Sequence, residues 1–349
     1  MIRLGIVGCN YGRTVLLPAF RLDPRCEVVA IGGSNAARAT EVARQAGIPQ
    51  GFGDWAQLVA SEAVDAIAIA TPPRLQPEIA IRALKLGKPL FVEKPMAADL
   101  AGAVAMLRAA GDTPAMIDFT FTQLPTWQRA KALLDGGAIG RLRHVVVTWN
   151  LENYATRMRL KHWKTSGADG GGALGNLASH SMHYFEWLCG PITGLSARLS
   201  DLPDDPSFET GITMALKFAS GAAGSFALNC ASYLGSGHRL EFYGEDGAVV
   251  LANPTADYMR GFVLSHGRRP ADALAPIEVA NDPVDAKFPA EARIAPVSRL
   301  AKRFLDTVEQ RRPATPGFAE GYRAQLLLDA VRRSDASGRF VDIAGGAQP

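Results

Sequence analysis

The feature that most constrains the fold is a regular alternation in the first third of the chain. Short runs rich in Ile, Val and Ala, "RLGIVG", "CEVVAIGG", "AVDAIAIAT", "KPLFVEK" and "TPAMIDF", are separated by stretches with helical periodicity. Near-continuous apolar strands alternating with helices build a parallel sheet buried on both faces, because each crossover helix covers the sheet it returns to. The alternation predicts a doubly wound α/β domain over residues 1–120.

After a further helix, "WQRAKALLDGGAIG", strand follows strand: "LRHVVVTWNL", "ITGLSARLSD", "GITMALKFASG", "AAGSFALNCAS", "HRLEFYGEDGAVVL" and "GFVLSH". Glycine turns between such runs predict a large, open, mostly antiparallel sheet, so residues 121–349 read as an α+β domain that walls a substrate site. Residues 268–296 read as an irregular connection, and "VSRLAKRFLDTVEQ" and "FAEGYRAQLLLDAVRRSDA" as two amphipathic helices of that second domain.

Composition narrows the partners. The 37 basic and 34 acidic residues are scattered, without the clustered Lys/Arg stripe that a phosphate backbone requires, so nucleic acid is not an expected partner. Cys9, Cys26, Cys189 and Cys230 show no zinc or CxxC spacing, which fits a reducing compartment. No apolar run approaches the roughly 20 residues of a membrane span. "MIRLGIVGCN" enters a strand without a basic n-region, and a cytoplasmic location is expected.

"GIVGCNYGRTVLLPAF" is a strand, a tight turn and a helix start, the arrangement that aims backbone N–H groups at a pyrophosphate and makes the first domain Rossmann-type. Gly8, Asn10, Tyr11, Gly12 and Arg13 form this turn. The GxGxxG fingerprint is incomplete, with Asn10 in the second glycine position and Arg13 in the third. Asn10 is expected to tolerate a left-handed backbone, whereas the close packing of the third glycine is expected to be lost. After the second strand, "IGGSNAAR" lacks the carboxylate that would hold the ribose 2′-hydroxyl of NAD. Gly33, Ser34 and Asn35 leave room for a 2′-phosphate and Arg38 supplies charge, so NADP(H) is expected over NAD(H). The alternative is that Arg38 is a solvated helix residue.

In "KPLFVEKPMAADLAGA", Glu93, Lys94 and Pro95 follow a strand directly. Ligands of a parallel sheet lie outside the carboxyl ends of its strands, where Lys94 would meet a substrate hydroxyl. The bland alternative is a surface turn. "GGGALGNLASHSMHYFEWLCG" then sets Asn176, His180 and His183 at helical spacings of four and three, within roughly 60° of one another. Trp187 shares their face, and Leu174, Leu177, Tyr184, Phe185 and Leu188 supply an opposite apolar stripe. Such an arc suits a cleft-facing surface better than core, and no third ligand accompanies the two histidines, so no metal is expected.

On these motifs the chain resembles the Gfo/Idh/MocA family of NAD(P)-dependent sugar and polyol oxidoreductases, nearly end to end. The likeness extends through "LLPAF", "ATPPRLQPEIAIRALKLGKPLFVEKPMA", "AKALLDGGAIGRLRHV" and "FAEGYRAQLLLDAVRRS". The resemblance implies that Lys94 and His180 contact the reacting hydroxyl, and that Thr71, Pro72, Pro73 and Glu93 lie with Lys94 beside the cofactor. It also implies a homodimer or homotetramer formed through the open sheet, and a cis bond before Pro95. Asn176 would orient the substrate and His183 line its pocket. Asp118, Phe121 and Trp163 are candidate substrate contacts, with Trp127, Asn153, Arg157 and Lys161 in the same flanking segments; the alternative is that many of them are packing or surface residues.

The chain departs from the family pattern at Asn176 and His183, where Asp is usual, and at Gln76, where His is frequent. Asn cannot take up a proton, so acid/base work falls to His180 or Lys94. Loss of the carboxylate is expected to depress the Lys94 pKa. The expected function is hydride transfer between a nicotinamide cofactor and a carbonyl or secondary alcohol of a sugar, cyclitol or related molecule. The eroded motifs leave an alternative, a non-catalytic dinucleotide-dependent binding or regulatory protein.

Overall fold

The computed structural model describes residues 1–343. They fall into two compact units, Met1–Thr120 with Pro283–Gln325, and Phe121–Asp282 with the residues from Leu326 onward.

The first unit contains β1 (Ile2–Val7), β2 (Cys26–Gly32), β3 (Gln50–Phe52), β4 (Ala66–Ile69), β5 (Leu90–Val92) and β6 (Ala115–Ile117). They form one sheet in the order β3-β2-β1-β4-β5-β6, with every pair parallel. All four residues of β4 and all three of β5 are buried, as expected for strands covered on both faces. Strand β3 was not expected from the sequence. "QGF" is a largely exposed edge segment without apolar patterning, held by three residue pairs to β2.

The helix Ile294–Gln310 belongs to this unit, a correction to the sequence reading, which placed everything after residue 120 in the second domain. Val297, Leu300, Ala301, Phe304 and Leu305 form its buried stripe, at helical spacings of three and four. The Phe304 ring meets those of Phe20 and Phe91 edge-on, with centroids 6.2 and 5.9 Å apart. Arg25, just before β2, fastens the helix from outside by pairing with Asp306 at 2.7 Å and Glu309 at 2.8 Å. Periodicity shows that such a helix buries one face, but not which sheet it covers.

The second unit contains β7 (Leu142–Asn150), β8 (Ile192–Leu202), β9 (Asp205–Phe218), β10 (Ala223–Asn229), β11 (Gly237–Gly244), β12 (Gly247–Asn253), β13 (Val263–Arg268), β14 (Ala275–Ile277) and β15 (Val341–Asp342). Their order is β14-β13-β12-β11-β7-β10-β9-β8-β15. All neighbours run antiparallel except β7 and β10. Alternation along β7 buries Val145, Val147 and Trp149 on one face. The helix Ser179–Cys189 packs on the sheet through Phe185, whose ring lies 5.5 Å from Phe226 and 6.3 Å from Phe218. Among the described residues, no helix is long and apolar enough to cross a membrane.

Candidate active site

Strand order in the first unit reverses between β1 and β4, and ligands of such sheets bind outside the carboxyl ends at that switch point. The residues following β1, β2, β4, β5 and β6 gather along this edge. Gly8, at φ +125°, provides the turn after β1, and a Cβ there would lie 2.3 Å from the Ala70 carbonyl oxygen. A side chain would force the turn away from the end of β4. Gly8 thus takes the backbone that the sequence reading gave to Asn10, whose φ is not positive. The close packing expected to be lost at Arg13 is supplied by Gly12, where a Cβ would meet Ile6 Cγ2 at 2.6 Å. Arg13 itself is exposed.

The fit to a dinucleotide can be judged from these groups. The chain resumes as helix from Gly12, beginning with a wide turn over Gly12–Leu16, so the positive helix end follows the Gly8 turn. Thr71, after β4, has a buried hydroxyl that receives no hydrogen bond from the described residues. Pro72 and Pro73 follow it. After β2, Ser34 is exposed and Asn35 caps the helix Ala36–Ala46, accepting the Arg38 backbone N–H at 2.9 Å. The Arg38 guanidinium donates to the Asn10 side-chain oxygen, so this cation stands at the ligand edge. The residues present fit a nicotinamide dinucleotide.

Lys94 follows β5 and is half-buried. The peptide bond to Pro95 is cis. Gln76, fully buried at the start of the helix Gln76–Lys85, donates its amide to the carbonyl oxygens of Glu93 at 2.9 Å and Pro95 at 2.6 Å. One side chain therefore brackets the backbone on both sides of Lys94. Asp118, following β6, is 1% exposed and accepts from the Tyr11 hydroxyl at 3.4 Å. Burial first, then the Glu93 charge and a hydrogen bond with its carboxyl, raise the Asp118 pKa well above the carboxylate range; Lys94 and Tyr11 pull it down. Asp118 is packed against Glu93 and Tyr11, and Lys94 acts on its carboxyl as a nearby positive charge.

In the second unit, Gly170 and Gly172 take left-handed backbone, at φ +80° and +71°. A Cβ on Gly171 would lie 2.0 Å from the Trp163 carbonyl oxygen, and one on Gly172 2.3 Å from Glu209 Oε1. The glycines let Glu209 reach the helix start, where it accepts the Leu174 N–H at 3.0 Å. The first turn, Leu174–Ala178, is wide, with the Ser179 N–H bonded to the Leu174 carbonyl. It interrupts the regular α-helical spacing from which the Asn176, His180 and His183 arc was predicted. Asn176, His180 and His183 are also buried, together with the apolar stripe.

Phe121, 1% exposed, stands at the centre of an aromatic nest, the packing alternative for this residue. Its ring meets His180 edge-on with centroids 5.0 Å apart, Trp127 at 5.0 Å and Trp149 at 5.5 Å. His238 stacks on Trp149 at 4.3 Å, and its Nε2 is 3.0 Å from the Tyr184 hydroxyl. Burial pushes His183 and His238 down to about 3, keeping both neutral near pH 7. The sequence reading missed Glu209 and His238; Glu209 sits mid-strand, where no local motif marks it.

The remaining flanking residues diverge. Trp163 is half-buried in a short helical turn with the Lys164 ammonium 5.9 Å from its ring centre. Asn153 caps the turn Tyr154–Arg157 by accepting the Ala155 N–H, Arg157 faces Glu152 at 3.8 Å, and Lys161 is exposed. Among the described residues, no three His, Cys, Asp or Glu side chains gather as metal ligands.

Comparison with known proteins agrees with this geometry. Residues 2–120 match the model of the oxidoreductase family, NAD-binding Rossmann fold, and residues 127–250 match that of the GFO/IDH/MocA C-terminal domain. An uncharacterized oxidoreductase of Synechocystis sp. is 30% identical, over 98% of this chain and 96% of that protein. Levoglucosan dehydrogenase of Pseudarthrobacter phenanthrenivorans is 25% identical, over 90% of this chain and 88% of the relative. A solved structure of levoglucosan dehydrogenase in complex with NADH and L-sorbose superposes with a TM-score of 0.87 at 24% identity, covering 98% of this chain and 99% of that one.

Proposed function

Because the chain belongs to the Gfo/Idh/MocA family of oxidoreductases, we propose that it transfers a hydride between a nicotinamide dinucleotide and a secondary alcohol or carbonyl of a sugar-like ring. The observation that carries this reading is Lys94, held at the carboxyl edge of the parallel sheet by the Gln76 bracket. That edge is where the nicotinamide of such a sheet lies. When bound, the dinucleotide supplies the redox chemistry by accepting or returning hydride. The protein positions, excludes water and handles the proton.

Lys94 hydrogen-bonds the reacting oxygen, and His180 exchanges its proton. Asn176 orients the hydroxyl, and His183 lines the pocket as a neutral imidazole. The sugar reading is supported by the name of the levoglucosan dehydrogenase relative. NADP(H) is the preferred cofactor, because Arg38 stands at the edge after β2 and Gly33, Ser34 and Asn35 provide no carboxylate. Tighter binding of NADPH than of NADH in a fluorescence titration is expected; equal or tighter NADH binding removes the preference.

The proton roles are tested by Lys94→Ala and His180→Ala. Each is expected to lower kcat by about a hundredfold or more while NADPH binding stays measurable. Full turnover in either variant overturns its assignment.

A further inference from the structure

The β5–β6 register pairs Val92 with Ile117, and the Asp118 N–H donates to the Val92 carbonyl at 2.9 Å. Glu93 and Asp118 therefore emerge side by side from adjacent parallel strands. Asp118 Oδ1 and Glu93 Oε1 are both buried, and neither receives a hydrogen bond from a donor among the described residues. The Glu93 carboxyl acts on Asp118 through its charge and a side-chain hydrogen bond. A carboxylate oxygen can only accept, so two ionised carboxyls side by side repel, whereas one proton between the two carboxyls supplies a donor and removes one of the two charges.

The surrounding groups fit this arrangement. Tyr11 offers its hydroxyl to the other Asp118 oxygen, and the Arg293 guanidinium lies 5.1 Å from the Tyr11 ring centre. Lys94 acts on Asp118 as the nearby positive charge. Gln76 donates to the Glu93 backbone carbonyl, and the Glu93 carboxyl interacts with Asp118.

We propose that Glu93 and Asp118 share a single proton, and that the resulting singly charged pair is the counter-ion that positions Lys94. The pair is a positioning device, and its importance for turnover rests on the role of Lys94 proposed above. Its own existence does not, because the proton can be detected without substrate.

Infrared spectroscopy of the wild-type protein at pH 7, with isotope-labelled aspartate, tests the proton. A protonated-carboxyl C=O band that shifts with the label and in D2O is expected. A band of ionised aspartate alone overturns the proposal. The counter-ion role is read from the pH dependence of Lys94 labelling by an amine-directed reagent, followed by mass spectrometry.

Glu93→Gln combined with Asp118→Asn removes the charge and is expected to lower the Lys94 midpoint by about one pH unit, so that labelling at a fixed lower pH rises about tenfold. Asp118→Asn still presents a donor to Glu93 and keeps one charge, so its midpoint should match wild type. A midpoint unmoved by the double variant, or moved as far by Asp118→Asn alone, overturns the role. If the acid band and the labelling shift are found but no sugar or polyol is turned over, the pair stands and the substrate reading falls.

Discussion

At the residue scale, the site depends on single side chains and glycines around Lys94 and the first turn. Gln76 stands where the resemblance leads one to expect His, and its buried amide makes two hydrogen bonds around Lys94. Gln76→Leu leaves those two carbonyls without their donor, with an expected destabilisation of about 1–3 kcal/mol and a kcat reduced more than the cofactor Kd is raised. Thermal melts and steady-state kinetics would check both, and an unchanged kcat would contradict the bracket. Gly8 is equally exposed to test: a methyl group at φ +125° has no room against Ala70. Gly8→Ala is expected to weaken NADPH binding by about tenfold or more, measured by fluorescence titration.

The carboxyl pair was half legible. "LFVEK" and "AMIDF" each place an acid directly after an apolar strand, but the sequence does not say that the two strands are neighbours. Asn10 and Arg13 read as eroded glycines because the fingerprint was aligned by spacing. Sterically, Gly8 and Gly12 do the work of the tight turn and the close helix.

At the element scale, the parallel strands were legible because burial on both faces demands uninterrupted apolar runs. The helix Ile294–Gln310 was recognised but placed in the second domain, since its periodicity is the same whichever surface it covers. Phe304→Ala tests the assignment. Loss of its contacts with Phe20 and Phe91 should destabilise the first unit by about 3–5 kcal/mol in denaturant unfolding.

The site helix misled in the opposite direction. A polar arc of Asn176, His180 and His183 reads as a surface, but the wide first turn breaks the regular spacing and the three side chains are nearly buried. That burial has a pH signature. His183 and His238 are held at about 3 against an ordinary 6.5, so the unfolded chain takes up more protons as the pH drops. Their contribution to stability is complete above pH 6.5 and is lost as the pH falls towards 3. Urea midpoints measured across this range should decline on the acid side. His183→Gln should make the decline shallower, by up to about 1.4 kcal/mol per pH unit. An identical slope would show that His183 is already protonated in the folded protein.

At the scale of the whole molecule, the chain combines a parallel dinucleotide-type sheet with a mostly antiparallel partner, and belongs to a family of oxidoreductases. The central claim is that this chain turns over a sugar-like alcohol with Lys94 at the reacting oxygen. Nicotinamide absorbance at a fixed enzyme concentration, over a panel of aldoses, anhydrosugars and cyclitols, tests it most directly in wild type and Lys94→Ala. NADP-linked turnover of at least one ring alcohol by wild type is expected, with its loss in the variant despite retained NADPH binding. Cofactor binding without turnover on any member of the panel, or equal rates in the two proteins, would contradict it.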